Sequence, residues 1–198
     1  MFPARVAGAP AKWYPWGMNR NDSALIVVDT QRGVVGNGAE AERVVGNIMA
    51  AVTKARKAGV TVAWVRHEDE NLVRGSDAWS LAEGLVTEEG DSFVAKRFNS
   101  SFEETGLDET LRERGIHTVI LAGAATNWCV RATAYGALDR GYNLVLLSDA
   151  HTTGDLEIPG GPTIASATLI AELNVTIDKL EYPGRTGRSL SSAELAFD

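Results

Sequence analysis

The stretch HTVILAGAATNWCVRATAYGALDRGYNLVLLSD (117–149) reads as strand, helix, strand. HTVILAG (117–123) and NLVLLSD (143–149) are short, continuous apolar runs, the pattern of strands buried on both faces. Between them TNWCVRATAYGALDR (126–140) is helical and is closed by Gly141. A strand that crosses over through a helix to the next strand makes a right-handed parallel unit, with the helix packed on one face of a sheet.

The same alternation extends in both directions. Upstream, ALIVVD (24–29) and VTVAWVR (60–66) are two further buried strands. They are joined by a helix over 40–58 with Val44, Val45, Ile48, Met49, Val52 and Ala55 on one face and Gly59 as its stop. SFVAKR (92–97) is a short strand, and TGLDETLRER (105–114) is a helix ended by Gly115. Downstream, GPTIASATLIAEL (161–173) is predicted as a helix and NVTI (174–177) as a last short strand. The pattern predicts one three-layer α/β/α domain over 24–183, with a doubly wound parallel six-stranded sheet in the order 3-2-1-4-5-6. An irregular arm (1–23) precedes it and a polar tail (184–198) follows. No repeat or linker divides it. Trp13, Tyr14 and Trp16 in the arm are costly to leave in water. They lie either on the protein's own surface or against a second subunit.

Composition narrows the function. A chain of 198 residues is one ordinary domain. Its net charge of -7 argues against nucleic acid or an anionic membrane as partner. No run approaches the roughly 18 apolar residues of a membrane span. Pro10, Lys12 and Pro15 interrupt any apolar leader core. With a single cysteine, these features lead to the expectation of a cytoplasmic protein.

In a doubly wound sheet, ligands bind beyond the carboxyl ends of the strands where the order reverses, here between the first and fourth strands. The first ends at Asp29; the fourth ends at Gly123, and its loop leads into Cys129. An Asp after a strand is also a common turn former, and a lone Cys is usually a small core residue. Cys129, however, falls in the first turns of a helix after GAAT (123–126), where free N–H groups favour a thiolate and can hold an oxyanion. Lys96, after the apolar SFVA, would lower the thiol pKa further and offset Asp29. The long polar segment 67–92 and RFNSSF (97–102) are expected to line the pocket. Trp64, Trp79, Phe98 and Asn99 are the expected walls, Gln31 and Arg66 the polar contacts, and Trp128 either narrows the pocket or packs behind the nucleophile.

Three segments carry a resemblance: ALIVVDTQRG (24–33), FVAKRFNSSFEETGLDETLRERGI (93–116) and VILAGAATNWCVRATAYGALDRGYNLVLLSDAHTT (119–153). Together they resemble the isochorismatase-like cysteine hydrolase superfamily, which includes nicotinamidases and N-carbamoylsarcosine and ureidoacrylate amidases. RHEDENLVRGSDAW (66–79) is similar to the members related to streptothricin hydrolase. The resemblance implies an Asp29–Lys96–Cys129 triad that hydrolyses the C–N bond of a small amide or ureido compound. It also implies a cis peptide joining Ala125 to Thr126 at the oxyanion position and a homo-oligomer, dimer or tetramer. There are departures. Asn127 stands where many members have Asp, and the region that holds metal ligands in nicotinamidases offers only His67, followed by Glu68 and Asp69. No metal or cofactor is therefore expected. His151, after the fifth strand, has either a structural role behind the site or a catalytic one. Isochorismatase activity and an inert binding role are the competing readings, and Cys129 counts against the first.

Overall fold

The computed structural model describes residues 18–198; the aromatic cluster at Trp13, Tyr14 and Trp16 lies outside them. The elements are β1 (Ser23–Val28), α1 (Arg32–Val35), α2 (Ala41–Ala58), β2 (Thr61–His67), β3 (Ser92–Lys96) and α3 (Leu107–Glu113). There follow β4 (Thr118–Ala124), a π-helical turn (Thr126–Val130), α4 (Arg131–Asp139), β5 (Asn143–Thr152), β6 (Leu156–Glu157) and β7 (Thr163–Ile164). The last are α5 (Ser166–Lys179), β8 (Glu181–Tyr182) and β9 (Arg185–Leu190).

The main sheet runs β3-β2-β1-β4-β5-β9-β8, parallel except for the short β8. β1 is central and buried at every position. Its alternation divides the core in two. Ala24, Ile26 and Val28 face a cluster with Leu107, Leu111, Ala134, Leu138, Leu173 and Ile177 from α3, α4 and α5. Leu25 and Val27 face Val44, Ile48, Val52 and Ala55 of α2. Each face of a parallel strand is thus covered by helix, which is why these strands read as unbroken apolar runs.

Two expectations need correction. NVTI (174–177) belongs to α5, because Leu173 and Ile177, four residues apart, continue one buried helical face. A run of four residues carries too little periodicity to separate strand from helix. The sixth parallel strand is instead β9, RTGRSL, within the segment expected to be a polar tail, where it pairs with β5. Its composition is polar because it lies near the sheet edge, with only the two-residue β8 beyond it.

Two backbone features shape the carboxyl edge. Gly123 (φ 130°) is paired with Val28, and a Cβ there would lie 2.0 Å from the Val28 carbonyl oxygen. Only glycine lets β1 and β4 approach this closely. One residue past β1, Asp29 has φ 48°, a left-handed conformation that Asp tolerates better than most residues. Among the described residues, no helix is long and apolar enough to cross a membrane.

Candidate active site

β1, β3 and the turn after β4 bring three sequence-distant side chains together. Lys96 ends β3 with its ammonium fully buried, 2.6 Å from Asp29 Oδ2 and 3.3 Å from Cys129 Sγ. The same Nζ donates to the Phe98 carbonyl at 3.0 Å and lies 3.1 Å from His67 Nδ1. An ammonium has three hydrogens, so four acceptors compete for them. The other oxygen of Asp29, Oδ1, is buried and has no hydrogen-bond partner.

Burial pushes the Asp29 carboxyl above its usual range, against the pull of Lys96. Burial and the Asp29 charge together push the Cys129 thiol up to about 12, with Lys96 opposing. This runs against the expectation of a lowered thiol pKa. The helix start here is a π-turn in which the Trp128 and Val130 N–H groups both point to the Ala125 carbonyl, and desolvation outweighs any dipole. The cis peptide also lies elsewhere than expected, between Ala124 and Ala125 rather than Ala125 and Thr126.

Behind this turn, Thr126 Oγ1 is 2.8 Å from His151 Nδ1, and His151 Nε2 is 3.0 Å from Asn174 Oδ1. The Asn174 amide nitrogen donates to the Ser148 carbonyl, so its oxygen faces His151. His151 therefore carries its proton on Nε2 and accepts a hydrogen bond from the Thr126 hydroxyl at Nδ1. Burial lowers its pKa and keeps it neutral.

The predicted pocket residues separate. Phe98 (43% exposed), Asn99 and Trp128 (53% exposed) flank the thiol, with Asn99 Oδ1 3.8 Å from Sγ. Trp128 is too exposed to pack behind the nucleophile. A cavity of about 330 Å³ at the end of β3 is lined by Glu68, Ala95, Lys96, Arg97, Phe98 and Glu104, and Cys129 is not among its walls. Trp64 is no pocket wall: it is buried on the α2 face, its indole N–H 2.8 Å from Asp91 Oδ2. Arg66 shares that strand face and is stacked on Trp79, 4.3 Å from the ring centroid. Gln31 is also fully buried, and its amide accepts from the His67 N–H at 2.8 Å and donates to the His67 carbonyl at 2.9 Å, so it binds backbone rather than facing a ligand.

The contact between His67 and Lys96 was not anticipated. The signal was the strand order: β2 neighbours β3, and His67 and Lys96 are register partners at the ends of those strands. Asp29, His67 and Cys129 also offer ligand atoms within 4.8 Å of one another. The Lys96 ammonium stands among these three donors, so a cation of the chain itself already fills the position a metal would take.

A doubly wound sheet with a buried carboxylate–ammonium pair set against a thiol at its carboxyl edge has the parts of a thiol-dependent enzyme. Residues 23–158 match the Isochorismatase domain family. The chain belongs to this isochorismatase-like family of hydrolases. It is 30% identical to the ureidoacrylate amidohydrolase RutB of Methylobacterium radiotolerans over 188 residues, covering 73% of each chain. A cysteine hydrolase from Pseudomonas syringae pv. phaseolicola superposes with a TM-score of 0.80 at 27% identity, covering 90% of this chain and 92% of that one. The N-carbamoylsarcosine amidase of Thermoplasma acidophilum gives 0.70 at 26%, covering 90% and 99%.

Proposed function

We propose that the protein is a cysteine hydrolase that cleaves the C–N bond of a small amide, ureido or carbamoyl compound through a thioester. The observation that carries this reading is Asp29: one oxygen is held by Lys96, and the other is buried and unpartnered near a neutral thiol. That oxygen accepts the thiol proton as Sγ attacks the carbonyl carbon. Lys96 then turns a hydrogen toward the sulfur. Backbone N–H groups of Ala125, Thr126 and Cys129 hold the oxyanion. Asp29 returns the proton to the leaving nitrogen, and water deprotonated by Asp29 clears the thioester and regenerates the thiol. Substrate enters past Phe98, Asn99 and Trp128. The names of the amidohydrolase and amidase relatives support ureido and carbamoyl compounds as the first substrates to try. A catalytic thiol without a disulfide partner suits the reducing cytoplasm, where we place the protein.

The test is an ammonia-release screen over small amides and ureido acids. Wild type is expected to turn over at least one compound, and Cys129→Ala none, with its circular dichroism unchanged. An active, folded Cys129→Ala protein would refute the covalent route.

A further inference from the structure

We propose that His67 is a positioning residue that holds the Lys96 ammonium in place through its Nδ1, and that Gln31 is built into the fold to fix His67. This inference rests on the proposed thiol chemistry and goes one layer behind it. The ammonium is the donor at 3.1 Å, so Nδ1 must carry a lone pair and the ring proton sits on Nε2, which lies 3.6 Å from Asp69 Oδ2. The contact with the ammonium thus fixes the tautomer of the ring.

Its backbone is fixed as firmly. The paired ladder of β1 and β2 ends at Val28 and Val65. Beyond it the Gln31 amide takes both the N–H and the carbonyl of His67, as a neighbouring strand would. A fully buried amide spent on one backbone unit makes sense if the side chain of that unit must not move. Without Nδ1, the ammonium would keep Asp29 and the Phe98 carbonyl as strong acceptors and could swing away from the sulfur. The developing thiolate would then lose its counter-charge.

Two polar variants separate this role from mere packing. The side-chain oxygen of Asn falls where Nδ1 stands, and that of Gln falls nearer Nε2. The rate of Cys129 alkylation by iodoacetamide and, on a substrate from the screen, kcat and KM are compared at fixed pH. His67→Asn is expected to stay within about threefold of wild type, and His67→Gln to lose about tenfold or more in alkylation rate and kcat, with KM little changed. Equal losses in both variants, or a Gln variant as fast as wild type, would overturn the assignment. Alkylation needs no substrate. A wild type that hydrolyses nothing while the variants still differ would therefore refute the proposed function and leave the role of His67 standing.

Discussion

The resting state of Cys129 has a consequence that can be measured without knowing the substrate. Burial and the Asp29 carboxylate raise its pKa from an ordinary 9.0 to about 12. At pH 7.5 an ordinary thiol is about 3% thiolate, whereas this one is about 0.003%, so iodoacetamide should react about a thousandfold more slowly than in the unfolded chain. The chain has one cysteine, so the mass of the intact protein reports the reaction directly. The logarithm of the rate is expected to climb with unit slope from about pH 6 to about pH 10 without a plateau. Asp29→Asn removes the charge that opposes the thiolate and leaves Lys96 to favour it. This variant should alkylate about tenfold faster or more at pH 7.5, while hydrolysis, which needs Asp29 to accept and return the proton, is lost. Opposite changes in thiol reactivity and turnover are the signature of a base acting on a neutral nucleophile. A rate plateau below about pH 8, or an Asn variant that alkylates no faster, would refute the reasoning.

Other expectations concern the scaffold and are read from urea unfolding. Gly123→Ala puts a Cβ 2.0 Å from the Val28 carbonyl oxygen at φ 130° and should cost about 3–5 kcal/mol. Gly46→Ala, inside α2 with nothing within 4 Å of the new Cβ, should instead stabilise by about 0.5–1 kcal/mol. Burial works against the Asp91 charge, but Arg56 at 2.6 Å and the Glu88 and Trp64 N–H groups outweigh it and hold the carboxyl below its usual range. The stability this adds is full above the unfolded value of about 3.9 and is lost as pH falls through the lower folded value. Wild type should therefore lose more stability than Asp91→Asn on acidification below about pH 4.

The fold was legible where burial writes a pattern. β1, β2, β4 and β5 are covered on both faces, so their sequences are apolar without interruption and stand out. β9 was not legible because an outer strand of this sheet needs no such run, and RTGRSL resembles a tail. Asp29 and Cys129 were legible because the reversal of strand order sends their strand ends to one crevice, Lys96 because it follows an apolar run, and the family resemblance joined the three. The state of the thiol was not, since it depends on how deeply the packed chain buries the sulfur beside Asp29, and no residue count reveals that.

The neighbours of Lys96 turn on a finer matter, the parity of one strand. In WVRH (64–67) Arg66 is the expected polar contact, whereas His67 stands only in the region where nicotinamidases hold metal ligands. Side chains alternate along β2, and Val65 points into the cluster with α3 and α4 while Trp64 points into the one with α2. His67 must follow Val65, and Arg66 must follow Trp64. Lys96 follows Val94, which packs on the same cluster as Val65, so the register His67↔Lys96 puts an imidazole and not a guanidinium beside the ammonium. The reverse parity would set Arg66 against Lys96, two buried cations near one carboxylate, which neither Asp29 nor the thiol could offset. The alternation that builds the core therefore also decides which of two adjacent polar residues reaches the thiol site, and it selects the one that can accept a hydrogen bond from lysine.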